Sequence, residues 1–190
     1  ENAAPDIQVN GRGVVSSKDL SNFIPSRKEK IDSLGLDGNV DTNIFFKGKL
    51  DQWEDWSLTL DGRTSTLTIK KHPLKDVKIT YLQRDKNISK LNLSADLYQG
   101  KLDFNSSVNL ENKQFPFKMT LDIFGMDLAE LTRVQNLKYD KLAGKGTFNL
   151  KADGEWLAQS TWKGKGNYDI ENGYLWQLKI IEGLSNVLLI

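Results

Sequence analysis

Leu91-Asn92-Leu93-Ser94-Ala95-Asp96-Leu97 alternates apolar and polar residues without a break. A period of two sends every second side chain to the same face of an extended strand. After Tyr98-Gln99-Gly100-Lys101, where Gly100 is expected to supply the positive φ of a tight turn, the pattern resumes. Leu102, Phe104, Ser106, Val108 and Leu110 alternate with Asp103, Asn105, Ser107 and Asn109. A polar link, Glu111-Asn112-Lys113-Gln114, leads to a third run. There Phe115, Phe117, Met119, Leu121 and Ile123 stand against Pro116, Lys118, Thr120 and Asp122. These three runs predict an antiparallel meander with one apolar and one wet face.

Outside this centre the rhythm is less regular. Ile44, Phe46 and Leu50 mark one strand, and Trp56, Leu58 and Leu60 another, closed by Asp61-Gly62. Leu67 and Ile69 mark a third, stopped near Pro73; Val77, Ile79 and Tyr81 mark a fourth. Late in the chain Phe148, Leu150 and Ala152 alternate before Asp153-Gly154. Trp162, Tyr168 and Ile170 follow, then Asn172-Gly173, a short-hairpin signal. Three stretches carry helical spacing instead. One covers residues 17–23, capped by Ser17 and stopped by Pro25. Another covers residues 127–136, with Asp127 as cap and Leu128, Leu131 and Val134 on one side. The third runs from Leu175 onward. Gly-containing strand openings, as in Gly144-Lys145-Gly146 and Gly164-Lys165-Gly166, suggest repeated β units.

Composition narrows the function classes. With 26 basic and 25 acidic residues the net charge is +1, so no broad field draws the chain to nucleic acid or an anionic membrane. The absence of cysteine removes disulfides, thiolate catalysis and thiolate metal sites. It suits an oxidising compartment, and it also occurs by chance in the cytosol. No segment has the roughly 18–20 apolar residues that span a bilayer. Val187-Leu188-Leu189-Ile190 stops inside an apolar run, from which a longer protein is expected.

Each candidate for chemistry has an ordinary explanation. His72 is the single histidine, read as a surface residue at a strand end. Without cysteine or a second histidine a zinc site would need carboxylates. Asp51, Glu54 and Asp55 beside Trp53 and Trp56 have the residue types of glycoside hydrolysis, yet a solvated loop explains them. Trp53, Trp56, Trp156, Trp162 and Trp176 suit sugar stacking or a membrane interface, and equally core packing. The Gly-Lys-Gly pairs do not fit a phosphate-loop motif. The charged run at residues 26–30 reads as a solvated face. No nucleophile, metal or acid–base group is expected, so an enzyme is not expected.

Four pieces of the last hundred residues occur in a familiar order. A strand ends in Ile123-Phe124-Gly125-Met126-Asp127-Leu128 and leads into a helix. Leu142-Ala143-Gly144-Lys145-Gly146-Thr147-Phe148 opens a strand, and Gly164-Lys165-Gly166-Asn167-Tyr168-Asp169-Ile170 opens another. The latter runs into Glu171-Asn172-Gly173-Tyr174-Leu175. This order resembles the C-terminal region of the AsmA-like superfamily, which includes AsmA and TamB relatives of Gram-negative bacteria. Residues 1–90 fit only in general style. The resemblance implies a periplasmic protein, anchored to the inner membrane by a segment not present here, that serves outer-membrane biogenesis. It implies a long curved antiparallel sheet, an open groove or β-taco, with a few short helices. It also implies phospholipid or another acyl-chain lipid as ligand, lipid transport between membranes, a possible outer-membrane protein partner, and no catalytic residues or cofactor.

The chain is therefore expected to be one β-rich section, residues 1–190, with possible sub-units 1–86 and 87–190. Leu91, Leu93, Leu102, Phe104 and Phe117 are candidates to line the groove, with Met119, Leu121, Ile123, Phe148 and Leu150. An apolar sheet face must be covered by a second sheet, a helix or a ligand. Hence the alternatives stay open: a β-sandwich binding module for carbohydrate, or a structural assembly factor that acts by strand pairing.

Overall fold

The structure, a computed structural model, describes residues 5–19, 28–49, 56–84, 88–135 and 143–173. Nine strands follow in order. They are β1 (Asp6–Ser16), β2 (Asn39–Lys49), β3 (Ser57–Ile69), β4 (His72–Arg84), β5 (Ile88–Leu97), β6 (Gly100–Val108), β7 (Pro116–Asp127), β8 (Lys145–Glu155) and β9 (Ala158–Glu171). All belong to one antiparallel sheet whose spatial order is the chain order. The sheet is open and uncurled, with β1 and β9 as its edges. Besides a 3-10 turn at Ser17–Asp19, the described helices are α1 (Lys28–Ser33) and α2 (Leu128–Val134). The mainly β, antiparallel architecture expected from the alternation is thus present; the sheet is open, but it lacks the curvature that the resemblance implies, and among the described residues no second sheet packs on the first. The sheet is continuous from β4 into β5, on either side of residues 86 and 87.

The three central runs are β5, β6 and β7, paired with Leu93 opposite Phe104 and Phe104 opposite Leu121. α2 also forms as its spacing predicts. The Asp127 carboxylate accepts the Glu130 amide at 3.0 Å, a capping bond.

Four readings need correction. Asp61-Gly62 is not a turn: β3 runs straight through it, and the two strands read there are one. Gly62 lies between Thr42 and Ile79, and a Cβ on it would sit 2.9 Å from Val40 Cγ1. Its role is close approach within a strand. At the β5–β6 turn the positive φ values belong to Tyr98 (48°) and Gln99 (62°), the two-residue hairpin pattern. Gly100 is instead the first residue of β6, pressed against the backbone of Phe124 and Met126. Residues 28–33 form α1 where a solvated charge run was read. β1 lies where no strand was read, because Gly11 and Gly13 occupy two of its apolar-face positions and hide the alternation. The helical stripe from Leu175 onward, and most of the one at 17–23, lie outside the described residues.

Two irregularities shape one end of the sheet, called here the α2 end. The β7–β8 register shifts between Ile123 and Met126, where Gly125 has φ 63°. The β4–β5 register shifts between Lys75 and Lys78, beside Asp76 with φ 49°. An extra residue lets Met126 and Val77 turn back to the apolar side, where each is 1% exposed. They join Leu67, Leu74, Ala95, Leu97, Tyr98 and Ile123 beneath Leu128 and Leu131 of α2.

Candidate functional site

Directly opposed residues of antiparallel strands share a face, so the register can be followed across the whole sheet. One row runs Gly11, Ile44, Leu60, Tyr81, Leu91, Ser106, Met119, Ala152, Gly164. The next, nearer α2, runs Gly13, Thr42, Gly62, Ile79, Leu93, Phe104, Leu121, Leu150, Gly166. The row on the far side of the first contains Val9, Phe46, Leu58, Gln83, Val108 and Phe117. Between these positions the opposite face carries Asp61, Thr80, Asn92, Asn105, Thr120 and Lys151 in a single row. There Asn92 Nδ2 donates to Thr80 Oγ1 at 3.0 Å, and Asn149 Nδ2 to Asp122 Oδ1 at 2.8 Å. The sheet therefore has one largely apolar and one largely polar face, the polar one also carrying the exposed side chains of Val14, Phe45 and Phe124.

All ten candidate lining residues fall on the apolar face, in two environments. Phe117 and Ile123 are buried, at 4% and 6% exposure. Leu91, Leu93, Leu102, Phe104, Met119, Leu121, Phe148 and Leu150 are half-buried. Leu102, Ile123 and Phe148 form one row next to α2; Leu93, Phe104, Leu121 and Leu150 form the middle of the face. The register brings them together as one patch, and among the described residues no element other than α2 lies on the core cluster at its end.

The opposite end is closed by aromatic clamps that the sequence reading did not find. Trp56 Nε1 donates to Lys49 O at 2.6 Å, and a Cβ on Gly48 would lie 2.9 Å from Trp56 Cδ1. Trp162 Nε1 donates to Glu155 O at 2.9 Å, and a Cβ on Gly154 would lie 2.9 Å from Trp162 Cδ1. A phenylalanine meets each indole edge-on: Phe46 at 5.0 Å between centroids, Phe117 at 5.1 Å. The signal was present as the same glycine-to-tryptophan spacing in both hairpins. Trp156, 54% exposed, packs on this cluster by its contacts with Phe117 and Trp162. Trp53, Trp176 and the carboxylates at 51, 54 and 55 lie outside the described residues.

His72 is half-buried, not a free surface residue. Its Nδ1 lies 2.7 Å from the Tyr98 hydroxyl, and its Nε2 lies 3.0 Å from the Gln135 amide nitrogen, just past α2. Burial, reinforced by Lys70, lowers its pKa from the ordinary value; burial raises that of Tyr98. A histidine with a lowered folded pKa stays neutral in the fold while the unfolded ring takes up a proton. Its contribution is complete above the unfolded pKa, about 6.5, and is lost as pH falls through the folded value. Thermal midpoints should therefore fall as pH drops below about 6.5, and His72→Gln should flatten that part of the profile. Equal acid slopes in the two proteins would remove His72 as the cause.

Among the described residues no group of three or more His, Cys, Asp or Glu is placed to hold a metal, and no helix is long and apolar enough to cross a membrane. No family model, curated protein or solved structure matches the chain.

Proposed function

We propose that the apolar face binds the acyl chains of phospholipid, and that the chain is a section of an AsmA-like periplasmic protein, anchored to the inner membrane, that passes lipid between membranes. The observation that carries this reading is the largely apolar face that runs across the nine strands, interrupted by Thr42, Gln83 and Ser106 and helix-covered only at the α2 end among the described residues. Contiguous apolar surface of this extent needs an occupant. Acyl chains lie along the face while headgroups stay at the wet rim. Each buried methylene contributes about 0.8 kcal/mol, so two chains are held firmly. Leucine, isoleucine, phenylalanine and methionine in successive rows offer near-equivalent positions, which lets a chain slide without meeting a deep trap. Met119 adds a pliable contact at the centre. The mechanism is passive and needs no catalytic group.

Phe104 sits in the middle row, between Leu93 and Leu121. A charge there leaves an unpaired ion in an apolar surface, at a cost of several kcal/mol to any lipid complex. Protein purified from bacterial cells should carry phospholipid in native mass spectrometry, and Phe104→Arg should abolish that signal with circular dichroism unchanged. Wild-type protein that carries no lipid and binds no apolar probe would end this reading.

A further inference from the structure

The strands alternate in direction, so β1 and β9 run the same way. A copy added by simple translation would set β1 parallel to β9, the weaker pairing. A two-fold axis perpendicular to the sheet instead sets β9 antiparallel to β9 of a second copy, with both apolar faces on the same side.

The sequence of β9 suits that arrangement in one register, centred on Asn167. Lys165 then faces Asp169 of the second copy, and Lys163 faces Glu171. On the apolar face Gly166 faces Tyr168, and Gly164 faces Ile170. This is the register β8 already makes with β9, where Lys145 faces Glu171, Gly146 faces Ile170 and Asn149 faces Asn167. The first half of β9, Lys163-Gly164-Lys165-Gly166-Asn167, repeats the Lys-Gly-x-x-Asn of Lys145 to Asn149. It carries what is needed to take the place of β8 against the second half of another β9.

Glycine opposite isoleucine also recurs in this sheet: Gly11 faces Ile44, Gly62 faces Ile79, and Gly146 faces Ile170. Gly164 has no such partner within its own chain. It lacks a positive φ, and a Cβ on it would meet only ordinary contacts at 3.5–3.8 Å. The fold does not require glycine there; an incoming Ile170 gives it a role. Residues 163–169 are exposed, Tyr168 by 49%, and among the described residues no strand lies on the outer side of β9. The opposite edge, β1, offers one pair of opposite charges, Asp6 and Arg12.

We infer that the chain pairs with a second copy through β9, antiparallel about Asn167, into one sheet of doubled width with a continuous apolar face. Opposite charges across strands set the register, and the glycines receive Tyr168 and Ile170 side chains in the manner of cross-strand aromatic–glycine pairs. Such an edge is otherwise a site of unpaired backbone groups.

The test uses the 190-residue chain and its lack of native cysteine. Asn167→Cys faces itself across the axis, at a Cα separation within disulfide range; Lys163→Cys is displaced from its counterpart by roughly 25 Å of strand. Mild oxidation should cross-link Asn167→Cys and leave Lys163→Cys monomeric. In sedimentation, Lys165→Glu should weaken the dimer about tenfold by setting two like-charge pairs, and Lys165→Glu with Asp169→Lys should restore it. Within the chain Lys165 faces Lys151 and Asp169 faces Thr147, so neither change opposes the fold. A monomer at all concentrations, equal cross-linking of the two cysteine variants, or no rescue by the double variant would overturn the inference. Each readout is independent of bound lipid, so failure of the lipid reading is separately visible.

Discussion

Leu128→Ala is expected to destabilise the protein by about 3 kcal/mol. Leu128 is fully buried, at the first position of α2. Its Cδ2 lies 3.0 Å from where a Cβ on Gly146 would be, so the side chain fills the space that glycine leaves. The void cannot collapse easily. The Asp127 amide donates to Tyr98 O at 2.8 Å, the Leu128 amide to Gly144 O at 3.1 Å, and the Asp127 cap holds the first turn. The helix start is thus fixed to the β5–β6 turn and to the entry of β8. Urea unfolding followed by circular dichroism measures the effect. A loss below about 1 kcal/mol would mean that α2 is not docked on the sheet, and the covered end would have to be counted with the open face.

Gly100→Ala should cost as much or more, about 3 kcal/mol, or prevent folding. The added Cβ would stand 2.5 Å from Phe124 O, 2.7 Å from Met126 N and 2.8 Å from Met126 Cα. These are backbone atoms of the β7 bulge and have no rotamer to move into. Gly125→Ala is the control. Its φ of 63° is unfavourable for alanine, yet a Cβ there meets nothing within 4 Å, so the cost should be about 1 kcal/mol. If the two variants unfold at the same urea concentration, backbone conformation and not close approach dominates at the bulge. That would weaken the account of how Met126 is brought beneath α2.

The fold was legible wherever alternation was unbroken. β5, β6 and β7 have a large apolar residue at almost every inward position, and periodicity located them. β1 was missed because Gly11 and Gly13 leave two inward positions without a side chain, and β3 was cut in two because Gly62 stands at an inward position where Val40 and Ile79 supply the bulk. A single sequence shows the glycine and not the side chain that fills its place. The turn at Tyr98 was assigned to the wrong residue for a related reason. Tyr98, 4% exposed, is anchored in the core and at His72, and that anchoring outweighs its reluctance to take a positive φ. The candidate lining residues could be grouped by alternation alone, since one face of each strand is fixed by period two. Which of them lie under α2 and which at the open centre depended on the bulges and the register, and neither is encoded locally. The His72, Tyr98 and Gln135 cluster joins residues distant in the chain, so spacing gave no sign of it.

Chain order and strand order coincide in this sheet, and that bears on how the protein forms. Each strand pairs with its neighbours in the chain, most of them across fewer than ten residues and the longest, between β1 and β2, across 22, so loop-closure entropy stays modest at each step. Contacts are local for a β protein, and such topologies fold faster than those that must bring distant strands together. The β5–β6 hairpin, with its two-residue turn, is a natural nucleus from which neighbours zip on in both directions. Assembly then resembles that of a repeat array, in which each unit depends on the one beside it. A protein built in this way can gain or lose a hairpin in evolution and keep the remainder intact.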